Sequence, residues 1–217
     1  EDTYIEGLHK IIEYYYSMGS ERFYPNGISI KFLLDTLEKS GRTDYYESAL
    51  AHFEKHVQKM LDTGLNYPPH EVIYEQTIVT PAVAFISEMG LVKKDPSYVE
   101  KVYQHIKTLD RFNGMQPDYR LNGIPIRYWD GFWFGKAALF TDTLPHYWSC
   151  LTAHSENDYS LLSGEEAYHT AAVRCIKNCL CLFFEDGAAS CAYDYPFSTD
   201  GKMCEFFDEW ANDQDFA

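Results

Sequence analysis

Residues Arg111 to Ser149 read RFNGMQPDYRLNGIPIRYWDGFWFGKAALFTDTLPHYWS. The segment crowds aromatics, acids, bases and glycines together with no helical period, and it interrupts a chain that otherwise reads as amphipathic helix. Long irregular stretches inside compact domains are either functional or disordered, and disordered ones are poor in aromatic residues. This one is rich in them, which predicts an ordered and functional segment. Asn122-Gly123 and Asp130-Gly131 are dipeptides favoured in two-residue hairpin turns, where both central positions need positive φ. The intervening IPIRYW is β-prone, so Tyr119 to Phe134 is expected to form a small β meander, with Pro125 confined to an edge or an end. A similar Gly-, Tyr- and Asp-rich stretch runs from Asp186 to Lys202.

On both sides the 3.6-residue period is strong. Thr3 to Met18 opens with a capping-box spacing, Thr3 and Glu6, and carries Ile5, Leu8, Ile12, Tyr15 and Tyr16 on one face. Ile30, Leu33, Leu34 and Leu37 mark a second helix, closed by Gly41. Tyr46, Ala49, Leu50, Phe53, Val57, Met60 and Leu61 mark a third, closed by Gly64. The stripe Ile78 to Met89 contains Pro81, so a fourth helix either starts at Thr80 as its cap or is kinked at Pro81. Asp95-Pro96 opens a fifth, with Val99, Val102, Tyr103 and Ile106. Asp142 or Thr143 is expected to cap a helix carrying Pro145 near its start. Ser163 and Glu166 form another capping box, leading Ala171, Ala172, Cys175, Cys179, Leu182 and Phe183 along one face.

Helices joined alternately by short and elaborated loops predict stacked hairpins, as in a toroid or a solenoid, and no repeat of fixed period supports the solenoid. The expected fold is therefore all-α, an (α/α) toroid with a small β meander in an inter-helix loop. It occupies residues 1–217 as one domain, within the size range of a single core. The closing NDQDFA falls where the pattern of another helix begins, so the toroid is expected to be truncated at its C-terminal end.

The formal net charge is −15, and no Lys/Arg cluster offers a phosphate-binding face, which excludes nucleic acid and an anionic membrane surface as partners. Apolar runs are too short to span a bilayer, and EDTYIEGLHK lacks the order of a signal peptide. A soluble protein is expected, with the cytoplasm preferred over secretion. Six cysteines are too sparse for a disulfide scaffold, and Cys175 and Cys179 lie four apart on an apolar stripe without the paired spacing of a zinc site. They are expected to be buried core thiols.

In the aromatic segment, Tyr128, Trp129, Trp133, Tyr147 and Trp148 offer flat faces beside Arg127, Asp130, Lys136, Asp142 and His146, a composition suited to stacking on sugar rings and gripping their hydroxyls. Glycosidic cleavage by hydrolysis needs one protonated and one ionised carboxyl. Asp130 and Asp142 are the candidates, with Glu75 in reserve. Each also has a structural reading: Asp130 as the first residue of a type I′ turn, Asp142 as a helix N-cap, Glu75 on a solvated helix face. Arg127, Lys136 and His146 can hold a substrate carboxylate, the guanidinium bidentately, or pair with a neighbouring Asp.

RYWDGFWFGK (127–136), DTLPHYWS (142–149) and the closing NDQDFA resemble the six-hairpin glycosidase superfamily, and within it bacterial proteins near glycoside hydrolase family 154, which includes β-glucuronidases. The resemblance runs from YEQTIVTPA to the end. It implies an (α/α)6 toroid with a pocket in the loops at one end, and a carbohydrate substrate. By motif position it places Arg127, Asp130, Asp142 and His146 at the site. A full toroid has twelve helices, whereas this chain has room for about eight.

The reading is a glycoside hydrolase-like domain cleaving uronic-acid-containing glycans by carboxylate acid/base catalysis, with no metal and no organic cofactor. Arg127, Lys136 and His146 read the carboxylate, and Tyr128, Trp129, Trp133 and Trp148 line the sugar. Two alternatives remain open. One is a sugar epimerase or isomerase using His146 and His154, eight residues apart; the other is a non-catalytic glycan- or protein-binding module.

Overall fold

The computed structural model describes residues 2–68, 78–114, 149–180 and 183–189, together with short paired strands within 124–142 and 198–203; side chains are described over 2–68, 78–111, 150–177, 179–180 and 183–189. The described helices are α1 (Asp2–Ser17), α2 (Ile30–Lys39), α3 (Thr43–Thr63), α4 (Thr80–Lys93), α5 (Ser97–Leu109), α6 (Ser149–Ser163) and α7 (Glu166–Cys179).

These helices form two layers. Helix α2 packs on α4 and α4 on α6, making an inner row; α1, α3, α5 and α7 lie outside it, with α3 against α2 and α4, α5 against α4, and α7 against α6. This alternation of inner and outer helices is the expected (α/α) toroid. Sequence periodicity explains the division. An outer helix buries one stripe, as α3 does with Ala49, Phe53, Val57 and Met60, and α5 with Val102, Ile106 and Leu109. Helix α4 instead buries every residue from Thr80 to Gly90 except Ala84, because it has neighbours on all sides.

Helix ends follow local chemistry. The Ser29 hydroxyl accepts the Phe32 N–H at 3.1 Å and caps α2. Gly41 and Gly64 follow α2 and α3 with φ of +74° and +55°, conformations that carry a steric cost for residues with a Cβ. Asp95 accepts the Ser97 N–H at 2.9 Å and opens α5. Two expectations are corrected. Thr80 is not a cap: it is the first α-helical residue of α4, and Ile78 and Val79 before it are already helical, in a π turn, so Pro81 sits at the π-to-α junction of a longer helix. Asp142 ends a strand and α6 is described from Ser149, with Thr143 and the residues up to 148 lying outside the described set. Ser163 closes α6, its hydroxyl accepting the Glu165 N–H at 3.1 Å, so the Ser163–Glu166 box does not form in the expected sense.

The strands lie mainly between α5 and α6. They are β1 (Asn113–Gly114), β2 (Ile124–Pro125), β3 (Arg127–Tyr128), β4 (Phe132–Trp133), β5 (Lys136–Ala137) and β6 (Thr141–Asp142), with β7 (Ser198–Thr199) and β8 (Lys202–Met203) further on. Pairing is antiparallel: β1 with β2, β3 with β6, β4 with β5 and β7 with β8. The β structure thus falls in the inter-helix segment, where β3 pairs with β6 around the β4–β5 pair; turns were expected at Asn122-Gly123 and Asp130-Gly131. Those four turn residues lie outside the described set. On α7, Ala172, Cys175 and Cys179 are buried as expected, whereas Phe183 is 60% exposed, being past the helix end.

Two buried imidazoles tie layers together. His56 of α3 receives the Tyr16 hydroxyl at Nδ1 and donates from Nε2 to the Phe23 carbonyl, both at 2.8 Å. That pattern fixes a neutral tautomer, and burial lowers its pKa. His105 of α5 is paired with the Tyr67 hydroxyl at 2.5 Å, and burial pushes it down to about 4.

Gly90 fixes the closest approach in the fold. A Cβ there would lie 2.6 Å from Tyr98 Cβ and 2.8 Å from Leu162 Cδ1, where α4 threads between α5 and α6. Gly90→Ala should therefore destabilise by about 1–3 kcal/mol in urea unfolding. Gly7→Ala, on α1 with open space around it, should stabilise by about 0.5–1 kcal/mol. The His105 shift adds a pH dependence. The unfolded chain protonates below the ordinary value of 6.5, whereas folded His105 resists until about 4, so stability present above 6.5 is lost as pH falls through that window, by up to about 3 kcal/mol. His105→Asn should show a smaller loss between pH 7.5 and 4.5 by the same measurement.

Candidate functional site

A cleft opens between the inner helices, beside the N-terminus of α2. Its lining includes the loop residues Asn26 and Gly27, then Ser29 before α2, Thr80 and Pro81 of α4, and His154 and Ser155 of α6; its volume is about 100 Å³. Ligand sites for whole small molecules run to roughly 300–1,000 Å³, so this cleft takes one charged group or a few waters. Helix N-termini carry partial positive charge and unsatisfied N–H groups, which favour an anion.

Close approach of α4 and α6 is built from small side chains. The Thr80 and Thr152 hydroxyls lie 3.4 Å apart, and Ser155 donates towards the Thr80 carbonyl at 3.2 Å and the Leu151 carbonyl at 3.0 Å. That closeness brings three ionisable side chains together beneath the cleft. Glu88 of α4 and Asp158 and His154 of α6 each offer a ligand atom, all within 4.8 Å of one another. Glu88 and Asp158 are buried, at 1% and 6% exposure, whereas His154 is exposed and lines the cleft.

Each member has an anchor. Glu88 Oε2 accepts the Lys31 backbone N–H at 3.0 Å and so satisfies a free donor in the first turn of α2. His154 Nδ1 lies 2.8 Å from Asp158 Oδ2. That contact has ion-pair distance but not hydrogen-bond alignment, and Asp158 Oδ2 has no hydrogen-bond partner. We give the ion pair more weight, because opposite charges attract at that distance whatever the angle. Burial, and then the Asp158 charge, raises the Glu88 pKa; the contact with Asp158 raises that of His154. Lys31 adds a nearby positive charge from α2, although its ammonium is held by Asp35 at 2.5 Å.

Of the sequence-predicted site residues, Glu75, Trp129, Asp130, His146 and Trp148 lie outside the described residues. Arg127, Tyr128, Trp133, Lys136 and Asp142 are described as backbone only. The register makes Arg127 the Cα partner of Asp142, and Trp133 that of Lys136. An acid candidate and a carboxylate-binding candidate are thereby brought to opposed positions. His154, singled out from sequence only as half of a His pair, proves to be the exposed member of the buried cluster. Glu88 and Asp158 escaped sequence reading. Their signals are a carboxylate inside a helix apolar on all sides, and an acid four residues after His154.

No family model and no curated protein matches the chain. Among solved structures the chain is similar to a polysaccharide lyase, with 39% sequence identity and a TM-score of 0.80 over 96% of its residues. The chain spans 31% of that lyase's length. The similarity supports the helical toroid, and it falls on a lyase where the sequence motifs resembled a hydrolase family. No helix among the described residues is long and apolar enough to cross a membrane.

The raised Glu88 pKa has a defined consequence for stability. Unfolded Glu88 ionises near 4.5 and the buried group only at higher pH, so its stabilising protonated form is present below that value and lost as pH rises through the folded pKa. In EDTA-treated protein, Glu88→Gln should gain stability relative to wild type between pH 4.5 and 8, by about 1–2 kcal/mol. Urea unfolding across that range reads the difference.

Proposed function

We propose that this chain forms part of the toroid of an enzyme that cleaves uronate-containing polysaccharide by β-elimination. The observation that carries the reading is the similarity to a polysaccharide lyase across 96% of the chain. Elimination needs an acidic C–H beside a carboxyl group, which uronic acid supplies at C5. A base removes that proton, the electron pair moves towards C4, and the C4–O4 bond breaks as an acid protonates the leaving oxygen. The product carries a double bond between C4 and C5, and no water is consumed.

The protein must neutralise the substrate carboxylate so that the C5 proton becomes acidic. Arg127, Lys136 and His146 are the residues proposed for this, and Tyr128, Trp129, Trp133 and Trp148 for stacking on the sugars. The N-terminus of α2 beside the cleft favours the same charge. The backbone register opposes Arg127 and Asp142 on neighbouring strands.

Hydrolysis is the second reading, favoured by the WDGFWFGK string, with Asp130 and Asp142 as acid and base and Glu75 in reserve. Digestion of a polyuronate in H₂¹⁸O separates the two. Elimination should give ultraviolet-absorbing unsaturated ends and no ¹⁸O at the new reducing ends, with His146→Ala lowering kcat by about 10²–10⁴. Incorporation of ¹⁸O at each cleavage would reject elimination. Cleavage that survives both Asp130→Asn and Asp142→Asn would remove those two carboxylates from the chemistry.

A further inference from the structure

We propose that Glu88, His154 and Asp158 form a divalent-cation site of the manganese class, beneath the inner-helix cleft and open to it through His154. The inference is independent of the cleavage chemistry proposed above.

Geometry comes first. Two ligands on opposite sides of one ion are separated by twice the metal–ligand distance, which is about 4.2–4.8 Å for bonds of roughly 2.1–2.4 Å. The three donor atoms lie within 4.8 Å of one another, so one ion can touch all three. They come from two helices of the rigid inner row, Glu88 from α4 and the other two from one face of α6 at i and i+4 spacing.

Burial supplies the second observation. Asp158 is 6% exposed and its Oδ2 has no hydrogen-bond partner, although the atom faces the cluster. Its contact is the His154 ion pair at 2.8 Å, and a cation held among the three groups would take up the hydrogen-bonding capacity left unfilled. Glu88 is 1% exposed, and its Lys31 N–H contact fixes the direction of the carboxylate, as outer-shell partners of metal ligands do. The groups facing the cluster from neighbouring elements are Ser29 and Lys31 of the α2 start. Lys31 is the one cation among them, and it is drawn away by Asp35.

Donor chemistry narrows the ion. Two carboxylates and one imidazole suit manganese or zinc better than calcium, which prefers six to eight oxygens. Three protein ligands leave coordination positions for water or an anionic ligand, and the exposed ligand, His154, is the one that lines the cleft. An ion here would attract a carboxylate to the same end of the molecule as the N-terminus of α2.

Manganese(II) is the probe, because it avoids competition from the chain's thiols. Titration of EDTA-stripped protein, followed by loss of the free-ion EPR signal, should show saturable binding of a single equivalent. Binding should weaken as pH falls and protonates His154, and it should raise Tm. His154→Ala, at an exposed position that does not threaten folding, should weaken affinity at least about tenfold. Glu88→Gln should do the same with its shape preserved, whereas His169→Ala, at an exposed position elsewhere on α7, should not. Absence of saturable binding at millimolar manganese, or binding unchanged in both His154→Ala and Glu88→Gln, would overturn the site.

Discussion

Helix α4 is enclosed on every side, by α2 and α3, by α5 and by α6, and the rest of the structure follows from that enclosure. A helix in that position presents no solvated face, so its sequence must be apolar around its whole circumference, and its polar atoms must find partners inside the protein. TPAVAFISEMG meets the first requirement almost throughout. It meets the second through short side chains near its start and through Glu88, whose carboxylate reaches the first turn of α2. Gly90 completes the arrangement, since α5 and α6 approach α4 too closely there for a Cβ. The layers cannot shift apart without exposing this helix, nor together without a clash.

The same closeness sets the electrostatics. Small residues on α6 let it lie against α4, and the consequence is two carboxylates in one low-dielectric space. Like charges so placed cannot both ionise without a compensating group. Protonation of Glu88 is one compensation, the His154 contact with Asp158 another, and a bound cation would replace both. Stability, proton uptake and ion affinity are therefore linked through one cluster, and each is altered by changing a single side chain within it.

Periodicity made the helical layers legible from the sequence, because an amphipathic stripe reports directly on which face is buried. Ala49, Phe53, Val57 and Met60 were expected on one face and are buried together, and Gly41 and Gly64 end their helices as expected. Local signals failed where tertiary pairing outweighs them. Asp142 has the composition of a helix cap, and its backbone pairs with Arg127, fifteen positions earlier, a contact that no local rule could detect. Ser163 and Glu166 have capping-box spacing, yet the turn between α6 and α7 uses Glu165 instead. Glu88 and Asp158 were invisible for a different reason: an isolated acid in a helix reads as a solvated face, and only the three-dimensional neighbours reveal that this face is buried. The predicted binding residues around Trp129 and His146 lie outside the described residues, so the structure speaks to the framework that would hold them and not to their side chains.

A polyanionic substrate raises a question of charge, because the chain carries a formal −15. Net charge acts at long range and is screened over about 8 Å at physiological ionic strength. Within that distance of the cleft the local groups decide, and they are of both signs: the N-terminus of α2, His154 and Lys31 against Asp35, Glu88 and Asp158. A helix dipole acts within about one turn of its end, which is where Ser29 lines the cleft. The acidic surface then opposes non-specific adhesion of polyanions elsewhere, while the N-terminus of α2 attracts them at the cleft. An acidic protein can in this way bind an acidic polymer wherever a helix N-terminus and nearby cations outweigh the long-range field.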